Sequence, residues 1–311
     1  MLTKVWEKAG EAVAKQVMAG VLAPAAVFWV VGLAAWVWNA GTTRSDGLVG
    51  LGKELAVLPA IVQIVIVVAA LVAVVSAAVI AERLTLPLLR LLEGYWPGSL
   101  GAVLRRRLHR RRAKALSVAQ QLEAERRKGG LSSADADRLA RAQARLRSTP
   151  SDVGETMPTR FGNRLRAAEL RPRAKHGLDV VACWPHLWLV LDTEAKSELG
   201  QARADLDMGA CALGWSLAAM LWTPLAWWSL PVGLSLAVAI YYGWLLDAAQ
   251  RYGDLVEATF DLFHPRLYQT LRWPLPDKPE NASQNGLALT QFVWQGIPPQ
   301  NLTFEQPVAG S

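Results

Sequence analysis

Residues 208–246 read MGACALGWSLAAMLWTPLAWWSLPVGLSLAVAIYYGWLL, thirty-nine positions without a charge. As one straight helix this run would be about 58 Å long, nearly twice the roughly 30 Å hydrocarbon core of a bilayer. Its middle, Leu225-Ala226-Trp227-Trp228-Ser229-Leu230-Pro231, sets paired indoles before a serine and a proline, which is the composition of an interfacial turn. The run therefore predicts a hairpin of two spans, 208–227 and 231–247, whose second arm continues into Asp247-Ala248-Ala249-Gln250.

Two further uncharged runs lie upstream. Val17–Trp38 holds 22 residues, with Pro24 in its first turns and Trp29, Trp36 and Trp38 at its far end, where aromatic anchors belong. Leu55–Ala81 holds 27 residues with a Val- and Ile-rich centre. In water such a centre would favour a strand, but strands are usually about 3–10 residues long, and a bilayer admits only helices or closed barrels. The expected spans are thus 17–38, 55–81, 208–227 and 231–247, preceded by an amphipathic N-terminal segment, 1–16. Apolar residues make up 52 % of the 311, yet they gather in these runs while the charges gather between them. A soluble core would mix the two at helical or strand period. The fold class is an all-α integral membrane protein with about four transmembrane helices.

Orientation follows Lys and Arg. The segment Glu82–Asp207 carries 24 of the 33 basic residues against 15 acidic ones, whereas 39–54 carries only Arg44 and Lys53 and the hairpin tip none. The positive-inside rule makes 82–207 a basic cytoplasmic helical domain, with both termini cytoplasmic, in the cell inner membrane. Lys4, Lys8 and Lys15, all before the first span, agree. Orientation accounts for most of the net charge of +7, so nucleic acid is not an expected partner.

Within the cytoplasmic segment, Leu84–Leu92 continues the second helix to a break at Gly94-Tyr95-Trp96-Pro97. Seven of the nine positions of Leu104–Arg112 are Arg or His. Ala113–Lys128 and Ser133–Arg147 read as two amphipathic helices, separated by Gly129-Gly130 and capped by Ser132 or Ser133. Leu139 and Leu146 recur at seven beside Ala136, Ala140 and Ala144, which suits either an intramolecular hairpin or a coiled coil between copies. Ser148–Met157 is a linker, 248–276 a cytoplasmic helical segment, and 277–311, rich in Pro, Asn, Gln and Gly, an irregular tail.

The candidate structural or gating cluster is Arg160, Asn163, Arg164, Glu169, Asp179, Trp184 and Trp188. Thr159 is a plausible helix cap, Phe161 and Leu165 form one stripe at i and i+4, Asp179 can pair with Arg160 or Arg164, and Trp184-Pro185 and Trp188 suit the headgroup level. The stretch Pro158-Thr159-Arg160-Phe161-Gly162-Asn163-Arg164-Leu165-Arg166-Ala167-Ala168-Glu169, then Gly177-Leu178-Asp179, Trp184-Pro185-His186-Leu187-Trp188 and Tyr252-Gly253-Asp254-Leu255, resembles an uncharacterised group of four-span, mostly actinobacterial membrane proteins. The resemblance covers about 158–276. It implies the topology and no reaction.

Chemistry is expected to be absent. His176, Cys183 and His186, with Asp179 as the fourth ligand they would need, lack zinc-finger spacing, and the chain carries no Gly-rich phosphate loop, H-E-x-x-H or G-x-S-x-G. No ionisable residue interrupts the runs, as coupled pumps require, while Ala34, Ala35, Ala77, Ala78, Gly209 and Gly214 let helices approach closely. The expectation is a non-enzymatic protein without cofactor or metal. Its partners are the bilayer, further copies of itself and a cytoplasmic protein, and its helical domain serves self-assembly or partner binding. The alternative is a homo-oligomeric pore gated by that domain, including a defence-type membrane effector.

Overall fold

The computed structural model describes residues 23–43, 47–96 and 99–297. The chain is all-helical, 84 % helix with no strand among the described residues. The expectations for 1–16, for 17–22 of the first span and for 298–311 lie outside them. In chain order the helices are α1 (Ala23–Thr43), α2 (Gly47–Val57), α3 (Ala60–Glu93), α4 (Ser99–Gly129), α5 (Ser133–Arg147), α6 (Arg160–His176), α7 (Val180–Val190), α8 (Thr193–Ala218), α9 (Ser229–Ile240), α10 (Leu246–Thr270) and α11 (Pro279–Gln295). A 3₁₀ turn, Ala219–Trp222, extends α8, and a π turn, Tyr241–Leu245, joins α9 to α10 without a break. The chain divides into two units, the first formed by Met1–Leu89 with Asp207–Leu245, the second by Arg90–Leu206 with Leu246–Ser311.

Two helices are long and apolar enough to cross a membrane, Ala60–Glu93 and the continuous Ser229–Thr270, rather than the four expected. The shortfall has local causes. The described apolar part of α1, Pro24–Asn39, belongs to a shorter class, and 16 residues of helix rise only about 24 Å. The predicted 208–227 span is the tail end of α8, which starts at Thr193, tightens to 3₁₀ at Ala219 and turns over through Thr223–Trp228. The predicted 55–81 span starts at Ala60 instead. Pro59 breaks it from α2, and the Gln63 side chain donates 3.0 Å hydrogen bonds to the carbonyls of Leu55 and Leu58 at this break. The last span begins at Ser229, and its uncharged part ends at Leu246.

In the first unit, α3 turns most of its apolar surface outward. Only 6 % of its most apolar window is buried, and Ile61, Val65 and Leu71 are 68 %, 59 % and 60 % exposed. In water each exposed Val, Leu or Ile forgoes about 1.5–3 kcal/mol of burial. Small residues mediate its contacts. Ala25, Ala35 and Ala78 are fully buried, Gly32 leaves room for the Trp222 indole, Gly214 lies against Leu88, and Gly233 lies against the Ser216 carbonyl. Phe28 sits 5.2 Å, ring to ring, from both Trp215 and Trp222.

The second unit has two parts. The antiparallel hairpin of α4 and α5 buries Ala115, Ala119 and Leu122 against Leu139 and Ala142, with Leu146 packed beside them. The heptad leucines are therefore satisfied within the chain, and Ser132 caps α5 through the Asp135 amide. The larger part packs α6, α7, α10 and α11 around Leu178, Leu187, Phe260, Leu267, Tyr268, Trp273 and Leu289. Trp184 and Trp188, both partly buried, pack against this core, Trp184 with its ring centroid 6.1 Å from that of Phe260.

The tail also needs correction, since Pro279–Gln295 is helical. Pro279 opens α11, and Leu289 is fully buried. The docking is made by two glycines. Gly177 ends α6 at φ 72°, and a side chain at Gly286 would overlap the His176 carbonyl. Trp273 Nε1 donates to Asn285 Oδ1 at 2.6 Å, and the Thr290 hydroxyl donates to the Gly177 carbonyl at 3.2 Å. Composition hid this helix because its apolar stripe is short, Leu289 with Phe292 and Val293, and is set among Asn, Ser, Gln and Gly.

Candidate functional site

Helices α6 and α10 run side by side and parallel, since partners keep a near-constant offset along both. Arg164 meets the Leu246 carbonyl and Asp247, Arg171 meets Asp254 and Glu257, Lys175 meets Glu257 and Asp261, and His176 meets Asp261. Gly253 opposite Ala168 lets the backbones approach. Carboxylates at 254, 257 and 261 on α10 fall on one face, as do Arg171 and Lys175 on α6. The result is an acid–base ladder with Glu257 at its centre, 9 % exposed, bonded to Arg171 and 2.6 Å from Lys175 Nζ. Burial pushes the Glu257 carboxyl up, but hydrogen bonds from Lys175 and Arg171 outweigh it and hold the group below the usual range. Asp261 is held low in the same way by Lys175 and His176.

At the ladder's far end His264 stacks on His176, ring centroids 4.4 Å apart. Burial, and then His176, depress the His264 pKa below its ordinary 6.5. The unfolded chain thus binds this proton more readily. The stability contributed is complete above about pH 6.5 and is lost as pH falls through the folded pKa. The melting temperature of the detergent-solubilised protein should therefore decline between pH 7 and 5, and His264→Gln should flatten that slope. An equal slope in the variant would exclude the mechanism.

At the other end of the ladder the helices open into a cleft of about 550 Å³, walled by Leu108 and Arg111 of α4, Arg141, Arg145 and Arg147 of α5, Arg160, Asn163 and Arg164 of α6, and Leu246, Asp247, Gln250 and Asp254 of α10. Six arginines face two aspartates. Arg147 lies 3.2 Å from Asp254 and Arg164 3.4 Å from Asp247. Arg111 and Arg145 have no carboxylate at ion-pair distance among the described residues. The α6 wall is rigid: Thr159 Oγ1 accepts from the Gly162 amide at 2.9 Å and donates to the Glu93 carbonyl. Asn163, 2 % exposed, spends its amide on Met157 and Thr159.

The sequence cluster is thus divided. Arg160, Asn163 and Arg164 come together at the cleft. Glu169 pairs instead with Arg166 at 3.0 Å. Asp179 caps α7 through the Val181 and Ala182 amides, with Arg173 at 4.0 Å, and so does not lock to Arg160 or Arg164. Trp184 and Trp188 belong to the core. Sequence reasoning marked Arg111 only within the basic stretch 104–112, read as a patch for anionic lipid or nucleic acid or as a solvated helix near the anionic leaflet, and missed Arg141, Arg145, Arg147, Asp247 and Asp254 as site residues. The i, i+4 spacing of Arg141 and Arg145 was a visible signal, but their partners lie on three other helices.

No group of three or more His, Cys, Asp or Glu able to hold a metal occurs among the described residues. Burial pushes the Cys183 thiol up to about 11, against the smaller opposing effects of Thr290 Oγ1, 3.7 Å away, and of a backbone hydrogen bond at Asp179. His176 is committed to Asp261, 2.7 Å away. No family model, curated protein or solved structure matches the chain. The arrangement can hold an anion.

Proposed function

We propose that this is a non-enzymatic integral membrane protein of the cell inner membrane, and that its cytoplasmic helical domain binds an anionic partner in the arginine cleft. Four spans anchor it, α1, α3, the α8 end and α9, with both termini cytoplasmic. The carrying observation is the cleft itself: six arginines around about 550 Å³, of which Arg111, Arg141 and Arg145 have no carboxylate at ion-pair distance among the described residues. The volume falls within the roughly 300–1,000 Å³ of ligand sites. The outward Val, Ile and Leu surface of α3 supports lipid as its solvent.

Two competing readings lose their footing. Self-assembly through the Leu139–Leu146 seam is disfavoured because the seam is already packed against α4. A pore lined by small residues is disfavoured because Ala25, Ala35, Ala78, Gly32 and Gly214 are taken up in helix contacts.

In nanodiscs of zwitterionic lipid, phosphate, ATP or a glutamate-rich peptide should raise the melting temperature. Saturation a hundredfold above Kd corresponds to about 2.7 kcal/mol, or about 5–10 °C for a domain of this size. The Arg111→Gln, Arg145→Gln double variant should fold and lose the shift. No response to any anion, an undiminished response in the variant, or a reporter fused at Arg126 found outside the cell would each overturn the reading.

A further inference from the structure

Resting on the anion-binding reading of the cleft, we infer that its ligand is an acidic amphipathic helix of a partner protein, and that the cleft is one end of the longer groove in which this helix lies. The first observation is a second cavity. Along the α4–α5 hairpin runs a groove of about 520 Å³, walled by Lys114, Val118 and Leu122 of α4 and by Arg138, Arg141 and Arg145 of α5, among others. Arg141 and Arg145 line the cleft as well, so the two cavities are continuous. On α5 the three arginines recur at i, i+3 and i+7, and on α4 Lys114, Val118 and Leu122 recur at i, i+4 and i+8. Each helix therefore turns one stripe toward the groove. The α5 stripe rises about 10.5 Å, two turns of helix, before the cleft extends it.

Charge and floor give the chemistry of the occupant. No carboxylate lines the second cavity. Arg111, Lys114, Arg141 and Arg145 are exposed and have no carboxylate at ion-pair distance among the described residues, whereas Arg138 has Asp135 at 3.3 Å. Between these cations the floor is apolar: Ala115, Leu122 and Ala142 are buried in the hairpin core, and Val118 is half-buried at its edge. Two antiparallel helices with an apolar floor and cationic rims form a seat for a third. Apolar residues of the partner at i, i+3, i+4 and i+7 fit the floor, and the Asp or Glu beside them meet the rims. A free phosphate or nucleotide would occupy the cleft and leave Lys114, Arg138 and the floor in water. Nucleic acid is disfavoured by the walls, since no aromatic ring lines either cavity and bases have no surface on which to stack.

The test uses the full-length protein in nanodiscs of zwitterionic lipid and a labelled peptide of about 18 residues, long enough to form a helix, with Leu at three- and four-residue spacing and Glu on both flanks. Fluorescence anisotropy reads its affinity. A scrambled peptide of identical composition, which keeps the charge and loses the stripe, should bind about tenfold more weakly, the worth of one or two buried leucines. Lys114→Gln with Arg138→Gln, both exposed and outside the cleft, should weaken the striped peptide about fivefold, as the loss of two rim pairs does, and should leave the thermal shift given by phosphate or ATP unchanged. Equal binding of the scrambled peptide would reduce the effect to charge alone and overturn the inference. So would an unchanged affinity in the variant, or tighter binding of a single-stranded RNA oligomer than of the striped peptide. A thermal shift with phosphate or ATP and no peptide binding would also overturn it, while leaving the anion-binding function standing. Absence of every response would remove both.

Discussion

Gly162→Leu is expected to remove most of the second unit's stability. Gly162 sits in the first turn of α6, directly behind the Thr159 cap, and a Cβ there would overlap the Glu93 carbonyl at the end of α3. The neighbouring atoms are backbone, held by the Thr159 hydrogen bond to Glu93 and by the turn at Gly94, φ 98°, so no side chain can swing aside. Overpacking of this kind costs about 1–3 kcal/mol when side chains can adjust, and more where they cannot. A loss of at least about 3 kcal/mol, read as a fall of about 6–12 °C in melting temperature, is the expected result, and Gly162→Ala should show much of it. Gly200, in the interior of α8, has nothing within 4 Å of its virtual Cβ. Gly200→Ala should therefore stabilise by up to ~1 kcal/mol through helix propensity. Two helical glycines with opposite signs separate close approach from propensity, and a gain in both would refute the packing account.

Glu257→Ala should cost about 3 kcal/mol, because it leaves Arg171, 18 % exposed, with only the half-exposed Asp254 at 3.5 Å to compensate its burial. Lys175 and Arg147, 2.6 and 3.5 Å from Glu257, lose a partner as well. Lys175 is 44 % exposed and can turn to water, so Arg171 carries most of the cost. The pairing of Glu257→Leu with Arg171→Leu should recover much of the loss, since replacing both members of a buried pair by apolar groups is often neutral. Chemical denaturation of the detergent-solubilised protein decides the point. A single variant within about 1 kcal/mol of the parent would place this pair among surface ion pairs.

Features fixed by neighbours in the chain were legible from residues alone. Thr159 and Ser132 cap their helices as their types and positions suggest, Gly94 ends α3, and the Trp-Trp-Ser-Leu-Pro stretch folds 208–246 back on itself. Features fixed by distant packing were not. The parallel pairing of α6 with α10 brings together residues about 85 positions apart, so complementary charges at 171 and 175 and at 254, 257 and 261 gave a pattern without an address. Asp179 looked available for an arginine, yet a local demand, the open amides of α7, claimed it. The helix at Pro279–Gln295 was hidden because the few apolar residues that dock it, Leu289, Phe292 and Val293, stand in a polar stretch and the close approach is made by Gly177 and Gly286. The cleft combined both limits: Arg160, Asn163 and Arg164 stood out in one motif, whereas Arg111, Arg141 and Arg145 could join them only through the fold of the α4–α5 hairpin.

The five residues Tyr241–Leu245 form a π turn inside an otherwise unbroken helix. One added residue per such turn is a phase shift of about 100° around the axis. The stripe that α9 presents within the apolar run and the stripe that α10 presents through Asp247, Gln250 and Asp254 are therefore set independently by this wrench in the winding. A shift of that size moves every residue after the turn to a new face of its helix, so the periodicity of 229–240 cannot be carried across 241–245 to say which residues of α10 share a side.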